Sequence, residues 1–459
     1  MDKTRLGSKK LQLASVSRRD LLKSASAAGI ALSAAGLVGR PGAFAAPAPV
    51  GRSAATRFAP PAADTKGNLS IAAFGGDAEN KMFGAAVERF KARYPNVSVK
   101  LNISTVASWG DYANKLTTQI AGGNIPDVIE IAIEGTRLCV AKGLLEPLDD
   151  WVKDDADITG DLASIAQPLK DAFTVDSKLY QLPNGWNNMV IWYNTKMFGD
   201  AGLSMPTAEW TWDDFLTAAK ALTKGDGKDK IYGFAVPWGG MFQLMPWWLT
   251  NGTYPLNDVW TESNLSDPKI LEAVTFVHDL IHVHKVAPSI QGTDAGQLFA
   301  SSKVAMSGWG HWIYPTLKSA KFTTYDVQYW PRKTTATTVF GVGGFGMSPK
   351  TKDKALAWEL VKELSGKQVN EDFAANGAGI PALKSVADSP AFLSDPANAK
   401  IFFESLNDAQ PVPAPANFSQ FEQIVMRHLG DIMGGNTTPE KGLQAADKEL
   451  VDAMKKLSS

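Results

Sequence analysis

Cysteine is almost absent: Cys139 is the single one in 459 residues, so no disulfide can form within the chain. An excess of either charge is missing too, with 46 Lys and Arg against 47 Asp and Glu and a formal net charge of −1. Most of the positive balance sits in the first 45 residues, where eight basic side chains oppose Asp2 and Asp20, leaving about −7 on the remainder. A mildly acidic body argues against nucleic acid as a partner. Beyond those first residues no apolar run approaches the roughly 20 residues needed to cross a bilayer. The motifs H-E-x-x-H and G-x-S-x-G and a Walker loop are all lacking, which removes the sequence signatures of zinc proteases, serine hydrolases and P-loop enzymes. With 44% hydrophobic and 20% charged residues, the chain is long enough for two sizeable domains.

What is present begins with Ser17-Arg18-Arg19-Asp20-Leu21-Leu22-Lys23, an Ala/Gly-rich run from Ser24 to Val38, and the small-x-small site Ala43-Phe44-Ala45. The pattern resembles a twin-arginine export signal, with cleavage expected after Ala45. A retained anchor is the competing reading, but the run is short and weakly apolar for spanning. No cysteine sits at the cleavage site to take a lipid, which favours a free periplasmic protein over a surface lipoprotein. Residues 46–66 are rich in Ala and Pro without periodicity and are expected to be a disordered spacer.

The body then alternates strand and helix signals. Leu69 to Phe74 reads as a strand, Phe83, Val87 and Phe90 as one face of a helix stopped by Tyr94-Pro95, and Val97 to Ile103 as a second strand. That order begins a parallel sheet. Trp109 to Ile120 reads as a helix, and the turn Asn124-Ile125-Pro126-Asp127 feeds a strand at Val128. Met189 to Tyr193 has the composition of one buried strand with Leu182-Pro183 as its extended lead-in. Thr211 is placed to cap a helix carrying Phe215, Leu216, Ala219 and Leu222, with Asp213 and Asp214 at its positive end. Further helices are predicted from Pro268 and over Thr351 to Leu364, and further strands over Lys230 to Pro237, Tyr325 to Trp330 and Val339 to Ser348.

Several of these pieces together resemble the extracellular solute-binding proteins of ABC importers, in the carbohydrate-binding group that includes maltose-binding protein. The residues that carry the resemblance are Tyr180 to Pro183, Trp192-Tyr193-Asn194 through Phe198, Ala201-Gly202-Leu203, Thr211 to Phe215 with Ala218-Ala219-Lys220, Pro126-Asp127-Val128, and Gly143-Leu144-Leu145-Glu146-Pro147-Leu148-Asp149. The resemblance implies an α/β fold of the type II periplasmic-binding-protein kind: two discontinuous lobes, about 67–184 with 346–390 and about 190–338 with 391–459, joined by hinge crossovers around a ligand cleft. It implies capture of a sugar or oligosaccharide by hinge closure and delivery to the permease subunits of an ABC transporter, by a monomer that needs no cofactor.

A sugar presents C–H faces and a ring of hydroxyls, so its receptor needs flat aromatic platforms and short polar groups. Trp109, Trp186, Trp238 and Trp312 fall in loops at predicted strand ends, where the cleft of an open α/β sheet lies. Core packing is the plainer use of any one tryptophan. By the resemblance, Glu134 stands where an acidic residue takes sugar hydroxyls, Asn187 where a crossover loop supplies a polar ligand, and Trp312 where an aromatic stacks, with Trp309 and His311 beside it. Phe242 lies in another loop that carries an aromatic in that group. Gly343 and Gly344, in Gly341-Val342-Gly343-Gly344-Phe345-Gly346, are candidates to lend backbone amides. Asp77, Glu79 and Asp111 are weaker candidates that read first as helix caps and solvated charges.

Competing readings are few. The glycine run fits G-x-G-x-x-G, but Ser348-Pro349 separates it from the following helix, against a dinucleotide site. His278, His282 and His284 lack a completing ligand set for a metal. A secreted carbohydrate-active hydrolase would need two carboxylates flanking a glycosidic bond, and acidic residues in the proposed cleft are few. A receptor for a polyol, glycerol phosphate or another small solute is the rival within the binding class; an anionic solute would want Arg or Lys in the cleft loops, which are poor in both.

Overall fold

Alternating apolar residues make Gly67–Phe74 a strand, and Met82, Phe83, Ala86, Val87 and Phe90 give the following helix, Asp77–Arg93, a buried face. The chain returns as strand Val97–Ser104, parallel to the first and in register from Gly67 opposite Val97 to Phe74 opposite Ser104. On the other side of the first strand lies Val128–Ala132, all five residues buried, the composition of a sheet covered on both faces. Asp127 ties the two together, its carboxylate accepting from the Ser70 amide and hydroxyl, each at 2.8 Å. The structure is a computed structural model and describes residues 59–106 and 108–458. The predicted leader 1–45 and residues 46–58 of the spacer lie outside the described residues. The end of the spacer is not featureless: a turn joins Thr65 N to Ala62 O, and Asn96 donates to Asp64 O.

Two larger sheets organise the described chain. The seven-stranded one runs in the order Ile380–Pro381, Leu182–Asn188, Val339–Met347, Val128–Ala132, Gly67–Phe74, Val97–Ser104, with Gln410–Pro411 added beside Val339–Phe340. The four-stranded one runs Tyr325–Gln328, Val190–Asn194, Val304–Trp309, Tyr232–Ala235. Leu182–Asn188 and Val190–Asn194 therefore belong to different sheets with Met189 alone between them. The strand expected over 189–193 is present as Val190–Asn194, while its extended lead-in from Leu182 is a strand of its own in the other sheet. A second passage, residues 329–338, joins the small sheet back to Val339–Met347. The two passages are tied where they meet: the Thr338 hydroxyl donates to Met189 O at 2.6 Å, fully buried.

The small sheet is backed by helix Trp212–Leu222, capped as the sequence predicts. Thr211 Oγ1 accepts from Asp214 N, and the Asp214 carboxylate accepts from Thr211 N at 2.9 Å. Its buried face meets an aromatic cluster in which Phe215 lies 5.0 Å from Phe234 and 5.2 Å from Trp247, and Trp247 5.1 Å from Trp330. The helix approaches so closely that a Cβ on Gly233 would stand 2.0 Å from Ala219 O, a backbone atom that cannot step aside. Gly233→Ala is accordingly expected to cost about 3 kcal/mol, read as a lowered thermal midpoint in calorimetry; an unchanged midpoint would contradict this packing.

Candidate functional site

Where the carboxyl ends of Gly67–Phe74 and Val128–Ala132 meet the middle of Leu182–Asn188 and Val339–Met347, they wall a cavity of about 400 Å³, within the usual range for a small-molecule site. Loop 239–243 and helix Phe418–Met433 complete the enclosure. Two aromatic groups stand on its walls. Phe74 and Trp109 lie 4.3 Å apart at 35°, and Phe242 and Trp312 lie 6.0 Å apart at 54°. Trp312 takes its position because Gly310 has no side chain: a Cβ there would fall 1.9 Å from the Trp312 ring. These half-buried rings present apolar faces that the core does not cover.

The polar wall is acidic. Glu79, Glu130, Glu134 and Glu422 line the cavity, together with Asn184, Asn187 and Gln243. Among the described residues that line it there is no Lys, Arg or His. Glu130 accepts from Phe74 N at 3.0 Å and from Asn184 Nδ2 at 3.3 Å, yet burial still pushes its carboxyl up to about 8. Glu134 sits in the first turn of helix Ile133–Ala141; burial lifts it to about 8, the amide at the helix start opposing and nearby Glu422 adding to the rise. Its Oε2 is buried without a hydrogen-bond partner. Glu422, which accepts from Met241 N at 3.2 Å, is raised to about 7 by burial, with Asp111 adding to it.

Of the residues predicted from sequence, Trp109, Glu134, Trp186, Asn187, Phe242, Trp312, Gly343 and Glu79 are on the cavity wall. Trp186 is almost wholly buried, with Nε1 donating to Pro381 O, so only an edge reaches the wall. Asn187 also accepts from His311 N at 3.0 Å. The other predicted residues lie elsewhere. His311 is 1% exposed, packed against Tyr314, Phe392 and Phe402 with Nδ1 bonded to Gly377 O, and burial depresses it to about 4, so it is a neutral core residue. Gly344 faces away from Gly343, as alternation along a strand requires, and its missing Cβ makes room for Phe173. Trp309 backs Trp312 edge-on at 6.4 Å, and Trp238 packs against the core near Gly430. Asp77 and Asp111 are exposed charges in the first turns of helices whose N-caps are Gly76 and Ser108, so they are the solvated charges foreseen and not the caps. The glycine pattern 341–346 lies inside a central strand, not at a strand-to-helix turn, which disposes of the dinucleotide reading.

Sequence reasoning missed Phe74, Glu130, Asn184, Phe418 and Glu422. Two carried a signal: Glu130 is the one charge in the apolar strand Val-Ile-Glu-Ile-Ala, and Glu422 lies on the stripe of Phe418, Phe421, Val425 and Leu429. The expectation of few cleft carboxylates is thereby corrected to four.

A cavity walled by aromatic faces and hydrogen-bonding groups, between strands of a chain that passes repeatedly between two sheets, defines a receptor for a small polar solute. The bacterial extracellular solute-binding protein family matches over residues 85–400, and the chain belongs to it. It is 23% identical to the arabinooligosaccharide-binding protein of Halalkalibacterium halodurans over 80% of this chain and 86% of that one. It is likewise 23% identical to the maltotriose-binding protein of Pyrococcus abyssi, over 69% and 67%. Among solved structures it is similar to an ABC substrate-binding protein of Listeria monocytogenes in complex with cycloalternan, with a TM-score of 0.77, 28% identity, and coverage of 85% and 100% of the two chains. The fold is the two-lobed α/β fold of the type II periplasmic binding proteins.

A buried carboxyl held well above its ordinary value of 4.5 makes the native state bind protons that the unfolded chain has released. That stabilisation is complete below about pH 4.5 and is lost as pH rises toward about 8. The unfolding free energy is expected to fall between about pH 5 and about pH 8, by on the order of 1 kcal/mol per unit for each such group, and Glu130→Gln to shallow the slope. Denaturant titrations across that range check it; a wild-type slope unaltered by the substitution contradicts it.

Proposed function

We propose that the chain is the substrate-binding component of an ABC importer that captures a sugar or oligosaccharide between its lobes by hinge closure and delivers it to a membrane permease, making and breaking no bond. The observation that carries the reading is the pairing of half-buried aromatic rings, Phe74 with Trp109 and Phe242 with Trp312, with carboxylates and amides around one cavity. Rings cover the C–H faces of a pyranose, and Glu and Asn side chains hold its hydroxyls. Similar proteins named for maltotriose and arabinooligosaccharides, and the neighbour holding cycloalternan, support the same class. A glycerol phosphate is disfavoured by a wall without Lys, Arg or His among the described residues. The lobes are about 67–184 with 346–390 and about 190–338 with 391–459, with Gln410–Pro411 returning to the large sheet as the point where this division is crossed. Closure draws its free energy from the ligand's preference for the closed cavity.

Titration with mono- and oligosaccharides, polyols and glycerol phosphates, followed by tryptophan fluorescence with product analysis, is expected to give saturable binding for one sugar class and no product. Trp312→Ala should weaken it on the order of tenfold or more. Turnover would move the assignment to a hydrolase, for which the four carboxylates supply candidates; silence across the panel would remove the carbohydrate reading.

We further propose that the leader exports the chain through the twin-arginine route to the periplasm as a monomer, supported by Arg18-Arg19 ahead of the weakly apolar run. Replacing both arginines by lysine should leave the uncleaved chain in the cytoplasm on cell fractionation; unimpaired export would point to the general secretory route.

A further inference from the structure

The four carboxylates line one cavity on which, among the described residues, no Lys, Arg or His stands, and their hydrogen-bond partners do not account for all of them. Glu79 Oε2 accepts from Gly76 N at 2.8 Å, closing the start of its own helix. Glu130 is held by Phe74 N and Asn184, and Glu422 Oε1 by Met241 N. Glu134 Oε2 is buried, partnerless, and belongs to a side chain on the cavity wall that is 8% exposed. The cation nearest in sequence, Arg137, is exposed and places its guanidinium over the Trp260 ring at 4.8 Å. The other titratable groups around the site add negative or neutral character: Asp111 bears on Glu422, Glu79 on Glu130, Glu130 in turn on Tyr112, and His311 is turned into the core. Hydroxyls of a neutral sugar can bond to these oxygens, but they bring no positive charge to offset the carboxylates as these ionise.

We propose that the occupant carries a protonated amine, as an amino sugar or amino-substituted oligosaccharide, with its ammonium group against Glu134 and Glu422. The inference rests on the sugar reading and narrows it. An ammonium group brings donors for Glu134 Oε2 and for Glu422, charge-assisted hydrogen bonds, and attraction to the faces of Trp312 and Trp109. Burial raises Glu134 to about 8 and Glu422 to about 7, with Glu422 adding to the first rise and Asp111 to the second. A bound ammonium favours the ionised forms, so binding near neutral pH releases protons, and affinity rises with pH while the amine stays charged.

Calorimetric titration of the purified chain tests this with matched pairs: D-glucosamine, D-galactosamine and D-mannosamine against D-glucose, D-galactose and D-mannose, and the chitosan dimer against cellobiose. At about pH 7.5 at least one amine is expected to bind on the order of tenfold tighter than its neutral counterpart, with proton release seen as a dependence of the heat on buffer. At about pH 6 the ratio should shrink, and Glu422→Gln should shrink it at about pH 7.5. Because the pairs are compared on the wild-type chain, the result does not depend on how well the variant folds. Neutral sugars that bind as tightly as their amines would overturn the amine inference and leave the sugar reading standing. Failure of every pair would overturn the amine inference, and the sugar reading with it only if the wider panel of mono- and oligosaccharides is silent too.

Discussion

The change of sheet at Met189 is the constraint on which the site depends. One residue separates a strand hydrogen-bonded into the large sheet from a strand hydrogen-bonded into the small one, and Thr338 on the returning passage is locked to its carbonyl. Asn188, next in the chain, donates from its buried amide to Phe402 O at 2.8 Å, so the segment after Pro381 is drawn to the same place. Three stretches far apart in sequence are thus gathered at one seam, and the residues just before it, Asn184 to Asn187, are delivered to the cavity wall. Buried hydrogen bonds pin the seam inside apolar packing, and they fix geometry tightly because misplacing them leaves polar groups without water or partner.

The cavity set against that seam is unusual in the balance of its charges. Aromatic faces make it suitable for a ring with C–H surfaces, but burial holds two of its carboxyls, Glu130 and Glu134, largely neutral near physiological pH. A site in that condition can donate as well as accept hydrogen bonds, and small changes in what fills it shift several protons together.

Much of the fold was legible because the first half of the body obeys local rules. Leu69 to Phe74, Val97 to Ile103 and the Thr211 cap declare themselves by period and by capping chemistry, and the structure places strands and a capped helix there. The switch at Met189 was not legible in composition, since a run from Val190 to Tyr193 is equally apolar whichever sheet it joins; only the family resemblance implies a crossing, near Pro183 to Ile191. Helix Phe418–Met433 was passed over although its apolar stripe is strongly periodic. At the site, the resemblance to a known family led to loops that line the cavity but not always to the side chain that reaches it. His311 and Trp312 are adjacent, and only the space left by Gly310 decides that the tryptophan reaches the cavity while the histidine packs inward. Glu422 comes from a helix nearly 300 residues after Glu134, and no local pattern joins them.

The lone thiol has a consequence of a different kind. Cys139 is fully buried on the inner side of its helix, and burial pushes its pKa up to about 12, so almost none of it exists as the reactive thiolate. It has no second cysteine to pair with and little nucleophilicity to lose to oxidants. The native state is therefore the same on either side of a redox boundary: folding neither waits for an oxidising compartment nor risks a wrong bridge in one.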